Sequence, residues 1–344
     1  MSALFSQRRN SMSDMQTTYK TKRAERDGPL AAFVRTPVLG VLAVLIVIFV
    51  ASALLSPYFL TGYNMSVVAR GLAFVALVTI GQASLMLLGE LDLSLGTIGG
   101  LAGIVTGMLM VNGGIDPWIS ILLALCLGAA LGFINGFLTA ALRLHSLVLT
   151  IGTAGIYGGA ILVLTRGVAI TGIPPEIQFL GRGTIWGVPM PFVIMLVVLA
   201  LAVFLTLKTP FGRYMYAIGS NRDAARMLGI KVDRIRVLVF VMAGALSALA
   251  GVLLVARLGT AQPSIGNAWV LGPIAAAVIG GVATTGGVGT IIGAIFGAAI
   301  IAIIENIIVL FGVSPYWQGI VSGAIVVIAI SFDAISRRWL RKEN

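Results

Sequence analysis

From residue 38 onward the chain is cut into apolar runs about as long as a bilayer is thick. A helix needs roughly 20 apolar residues to cross the hydrocarbon core. Ten runs meet that length: about 38–56, 66–88, 94–112, 117–141, 146–165, 188–207, 235–256, 269–285, 288–311 and 317–335. Backbone amides in lipid must be paired within their own element, which leaves helices or a closed barrel, and runs this long read as helices. The predicted fold is therefore all-α and integral to the membrane, with about ten transmembrane helices. The eighth run is short and rich in Gly, so a break is expected there. Composition agrees: 58% of the 344 residues are hydrophobic and 10% charged, too few charges for a soluble surface.

The net charge of +11 would suit a nucleic-acid partner, but the cations follow the topology instead. Lys and Arg accumulate in segments facing the cytoplasm. With the N-terminus inside, inner segments hold seven in the N-terminal tail, Arg143, seven from Lys208 to Arg236, and four at the C-terminus. Outer segments hold Arg166, Arg182 and Arg257, while Arg70 sits at the edge of the second run. This predicts both termini in the cytoplasm, the lipid bilayer as a partner, and no nucleic acid. It divides the chain into a basic tail at 1–37, a transmembrane domain at 38–335 containing a polar loop at 208–234, and a second basic tail at 336–344. No cleavable signal peptide is expected, because the first apolar run is too long for one.

Glycines recur every fourth residue in three ladders: Gly99, Gly103 and Gly107; Gly128, Gly132 and Gly136; Gly289, Gly293 and Gly297. That spacing puts them on one helix face and predicts close helix packing. Gly96-Thr97-Ile98-Gly99-Gly100 is similar to Gly289-Thr290-Ile291-Ile292-Gly293, which raises a two-fold internal repeat of a kind common in transporters. The single cysteine, Cys126, excludes an internal disulfide and reads as a small buried filler. His145, the only histidine, reads as an interfacial or packing residue. No phosphate-binding loop, metal-ligand cluster or catalytic constellation is present in the sequence, which argues against an enzyme.

The polar loop carries a helix signature. Ser220 and Asp223 fit a Ser-x-x-Asp capping pattern, with Asn221 as the alternative cap. Asp223 favours the helix dipole, Ala224, Ala225, Arg226, Met227 and Leu228 are good helix formers, and Gly229 can end the helix in a left-handed turn. Asp233 is placed to cap the next span. About two turns of helix are expected.

Asp223-Ala224-Ala225-x-x-x-Gly229 resembles the coupling loop of binding-protein-dependent importers. Thr209 to Gly212 with Ala217 to Asn221 is similar to ribose-type sugar ABC permeases. So are Leu88 to Gly96, Ala256 to Pro263, Ile274 to Gly281, and Gly312 to Gln318, in collinear order from about 38 to 335. Departures from the usual pattern fall at Val270-Leu271-Gly272, at Glu305-Asn306 and at Glu90. Pairing with a second, different permease would be one explanation for them.

The resemblance implies a permease subunit in the bacterial inner membrane, paired with a second copy or a paralogue. It would be bound to a cytoplasmic ABC ATPase and served by a periplasmic sugar-binding protein. Ser220, Asn221, Asp223, Ala224, Ala225, Arg226 and Gly229 would form the ATPase coupling site. No cofactor is expected in this chain, since ATP and Mg belong to the partner ATPase. The solute would be a monosaccharide, pentose or ribose-like; nucleosides or branched-chain amino acids are the alternative. A stand-alone secondary transporter or channel is the alternative from another class.

Polar residues in a membrane helix are costly, so they face a wet or paired environment. Glu305, Asn306 and Asn135 are translocation-path candidates on that ground. Asp92 and Ser94 precede the third helix, where they either cap it or meet the solute. Gln262 and Gln318, at outer ends, are candidates for contact with the binding protein or the entering sugar.

Overall fold

A computed structural model describes residues 37–314 and scattered helical positions from 317 to 331. The basic tails and much of the tenth run, including Gln318, lie outside the described residues.

Among the described residues, eight helices are long and apolar enough to cross a membrane. In chain order the helices are α1 (Pro37–Leu55), α2 (Gly62–Leu87), α3 (Leu95–Gly107, continued by one π-turn to Asn112), α4 (Pro117–Ala141), α5 (Ser146–Thr165), the short α6 (Gln178–Arg182), α7 (Met190–Lys208), α8 (Pro210–Ser220), α9 (Arg222–Met227), α10 (Val232–Leu258), α11 (Gly272–Ile279) and α12 (Ile291–Leu310). Local chemistry sets several starts. Thr61 caps α2, Asp116 accepts from Trp118 and Ile119 N–H ahead of α4 with Pro117 at the first turn, and Thr290 accepts from Gly293 N–H to cap α12.

Helix α10 is the central element, packed on α2, α3 and α4. Its seam with α4 is built on the predicted glycine ladder. A methyl group added at Gly128, Gly132 or Gly136 would strike Gly244, Phe240 or Val237 of α10. Cys126 follows from the same geometry. Two residues from Gly128, it points away from the seam and is exposed, not buried as its apolar surroundings implied.

The predicted eighth span is broken. Ala261 meets Gly107, and the backbone at Ile265 and Gly266 lies against Gly100 and Gly96, so the chain runs back along α3 toward its start. Helix α11 follows and packs on α12, then 280–290 is a series of turns with positive φ at Gly281, Gly286, Gly287 and Gly289. Gly289 therefore precedes α12; it does not belong to the ladder, whereas Gly293 and Gly297 do pack against α11.

Helix α3 starts deep in the bundle. Ser247, which donates to Leu95 O, is the sixteenth residue of α10, about 22 Å along it. The chain from 88 to 94 thus rises without helical pairing. At the far end, two-residue strands β1 (Ile170–Thr171) and β4 (Thr260–Ala261) pair antiparallel, and β2 (Thr184–Ile185) and β3 (Val188–Pro189) form a hairpin. Arg182 donates to Arg257 O at 2.6 Å and Leu258 O at 3.0 Å, satisfying carbonyls left open at the end of α10.

Candidate functional site

The polar loop contains two helices. The amphipathic α8, which sequence reasoning missed, ends at Ser220. Ser220 is thus the last residue of α8 and not a cap, and Asn221 takes that role. With extended backbone at φ −159°, its side-chain oxygen accepts from Asp223 N–H at 3.1 Å and Ala224 N–H at 2.9 Å. Helix α9 spans six residues, with Asp223 in its first turn. It ends in a Schellman motif: Gly229 at φ +78° donates to Arg226 O, and Ile230 donates to Ala225 O. Asp233 does not cap α10. Lys231 holds that position, and Asp233 pairs across solvent with Arg226 at 3.4 Å.

Ala225 is buried and Ala224 half-buried, which seats α9 on the bundle. Met227 and Leu228 are 83% and 80% exposed, outward beside the positive end of Arg226. Two adjacent apolar side chains thus stand exposed on an otherwise polar loop.

Beneath α9 lies an ion cluster. Glu90, 2% exposed, accepts at the same Oε1 from Arg222 of α9 and from Arg236 of α10, each at 2.6 Å. Arg236 also donates to Thr139 O at 3.2 Å. A carboxylate so buried is stable only with such partners. The cluster lines a cavity of about 390 Å³, together with Arg143, His145, Arg226 and Asp233. His145 is exposed there, at the start of α5.

Two residues beyond Glu90 the chain enters a buried polar network. Asp92 Oδ1 accepts from Ser94 N–H at 2.7 Å and from Ser94 Oγ at 2.6 Å. Asn135 Nδ2 donates to Ser94 Oγ at 2.7 Å and Asp92 Oδ2 at 3.3 Å, and Tyr157 donates to Asn135 Oδ1 at 3.1 Å. Asp92, Ser94 and Asn135, singled out separately in the sequence, are thus one unit. Ser94 sits at the start of α3 without making a side-chain cap bond.

Helix α5 supplies what the non-helical segment lacks. Ser146 Oγ accepts from Leu91 N–H and Thr150 Oγ1 from Leu93 N–H, both at 3.1 Å. Ser146, Thr150, Thr153 and Tyr157 form one buried face at helical spacing. That polar stripe was the available sequence signal for them. Irregular backbone at this depth survives only when protein groups satisfy it.

The remaining candidates lie elsewhere. Asn306 and Asn64 exchange two amide hydrogen bonds, at 2.8 and 3.0 Å, joining α12 to the start of α2. Glu305 is half-buried beside them. Asn64 is 23 residues from Leu87 on α2, about 35 Å away, so this pair lies at the end of α2 opposite the one that leads to Glu90. Gln262, also half-buried, donates to Thr260 Oγ1 at 3.3 Å.

A sequence family described as "Branched-chain amino acid transport system / permease component" matches residues 64–330. The chain is 38% identical over 324 residues to the ribose import permease protein RbsC of Bacillus subtilis (strain 168), covering 94% of this chain and 98% of that protein. It is also 38% identical over 258 residues to the autoinducer 2 import system permease protein LsrC of Yersinia enterocolitica, covering 75% of this chain and 71% of that one. LsrC of Yersinia pestis (strain Pestoides F) matches at 38% over 258 residues, 75% and 73% of the two chains. With apolar helices repeated along its length and a collinear match over most of it, the chain belongs to this family of multi-pass membrane permeases.

Proposed function

We propose that this chain is the membrane subunit of an ATP-driven bacterial importer for a monosaccharide. The end bearing α8 and α9 faces the cytoplasm, both termini lie there too, and the bilayer is the inner membrane. Helix α9 docks in a cytoplasmic ABC ATPase, which holds the ATP and Mg. A periplasmic sugar-binding protein delivers the solute to the opposite end, and a second permease copy or a paralogue completes the path. This chain makes no catalytic contribution of its own.

The observation that carries the reading is α9 itself: a capped helix of six residues, seated by Ala225 and presenting Met227 and Leu228 to a partner. The basic residues of that end support its cytoplasmic placement. Closure of the ATPases would move α9 and shift the bundle between two access states. The ribose permease match over 98% of that protein supports a sugar. The description of the matching family favours a second reading, a branched-chain amino acid.

The two separate at the binding protein that stimulates the complex. Its melting temperature is measured with pentoses, hexoses and branched-chain amino acids. Stabilisation by a monosaccharide supports the first reading; stabilisation by leucine, isoleucine or valine alone replaces it with the second.

A further inference from the structure

The ion cluster beneath α9 connects the partner-facing helix to the buried polar network, and nothing in the transport reading assigns that connection. We infer that Glu90 is a positioning residue: through Arg222 it carries displacement of α9 into the segment 88–94, and so to Asp92, Ser94 and Asn135. The inference rests on the importer reading.

Three observations support it. First, 88–94 is not a helix: Glu90 N–H still bonds Leu85 O at 3.0 Å, but beyond it the chain is positioned by lateral contacts, as is the Glu90 side chain. These are Leu91 to Ser146, Leu93 to Thr150, Asp92 to Asn135, and Glu90 to the two arginines. A chain held this way follows whichever contact moves. Second, the two arginines differ. The Arg236 side chain is 8% exposed and also tied to Thr139 O on α4, whereas that of Arg222 is 36% exposed and sits on the first residue of α9. Arg222 is therefore the member that can withdraw.

Third, withdrawal leaves a workable state. Glu90 would keep Arg236 at 2.6 Å, so no buried charge is stranded. On this inference Glu90 would have two balanced arrangements, held by two arginines as in the structure or by Arg236 alone, and α9 would select between them. The response reaches the start of α3 because Asp92 lies two residues from Glu90 on non-helical backbone, where a pull is not absorbed by helical turns.

The test is hydrogen–deuterium exchange on the full complex with its ATPase, with and without ATP and vanadate. In the wild type, nucleotide should change exchange in both 220–229 and 88–94. Arg222→Ala leaves the Glu90–Arg236 pair in place, so folding is retained. In that variant 220–229 should respond as before while the change in 88–94 shrinks at least about fivefold. Arg222→Lys, which keeps the charge, should restore at least about half of it.

Glu90→Gln should reproduce the loss without altering ATPase co-purification. A normal 88–94 response in Arg222→Ala overturns the assignment. Loss of response in both segments also overturns it, and makes Arg222 a docking residue. A wild-type chain that binds no ATPase would instead refute the importer reading beneath it.

Discussion

Two glycine-rich regions of this molecule behave in opposite ways. Along the α4–α10 seam, Gly128, Gly132 and Gly136 lie four residues apart inside a continuous helix, and each brings the backbones of the two helices into contact. In 280–290, glycines stand side by side as Gly280-Gly281 and Gly286-Gly287, and four of the segment's glycines adopt positive φ. The first arrangement closes two helices on each other; the second stops a helix and turns the chain. Spacing, not glycine content, decides which. The second region also meets the start of the non-helical 88–94 segment, where Gly287 N–H donates to Leu87 O at 2.9 Å. A permease needs both: seams that stay shut and backbone that can rearrange.

The contrast breaks most readily at the seam. Gly132→Ile drives a branched side chain into the Phe240 backbone, which has no room to yield. About 3 kcal/mol or more should be lost, read as a melting temperature in detergent lower by about 5–10 °C. Next comes the segment that the seam does not support. Thr150→Ala strands the Leu93 N–H and should cost about 1–3 kcal/mol. Proteolytic susceptibility near 88–94 should rise while the far hairpin is unaffected.

Gly281→Ala should cost about 1–2 kcal/mol, from the left-handed backbone alone. In thermal melts its effect should remain well below that of Gly132→Ile; equal effects would erase the distinction between the two regions. The smallest change is at Gly155, which has open space around it on α5. Gly155→Ala should be neutral or stabilising by up to about 1 kcal/mol, with unchanged insertion and melting.

Long apolar runs located the spanning helices, with ends off by up to four residues at α2 and three at α10 and α12, and two of them to the residue. Runs 117–141 and 146–165 match α4 and α5, because nothing in lipid competes with helical pairing over such lengths. What escaped depended on neighbours. Ser220 fits a cap by spacing, yet the cap position belongs to Asn221 because α8 continues to Ser220, and α8 is an amphipathic surface helix too polar to register as a span. Cys126 lies in a greasy run, but which face of α4 is inside depends on where the glycines meet α10.

The polar residues Asp92, Ser94 and Asn135 were each visible, but their union was not. It requires α3 to begin partway up α10, where the hydroxyls of α5 replace helical hydrogen bonds. Glu305 and Asn306 were visible for the same reason, their polarity inside a span, and the fold puts them at the start of α2, where Asn306 bonds Asn64.

The central claim is that this permease works through another protein's ATPase, reached by α9. The most direct measurement is ATP hydrolysis and vesicle uptake by the tagged chain, purified with whatever binds it, for wild type and for Met227→Asp combined with Leu228→Asp. The account predicts that wild type retains an ATPase and ATP-dependent uptake, and that the double variant loses both while still folding in the membrane. Uptake by the chain alone, driven by an ion gradient and indifferent to the double substitution, would contradict it.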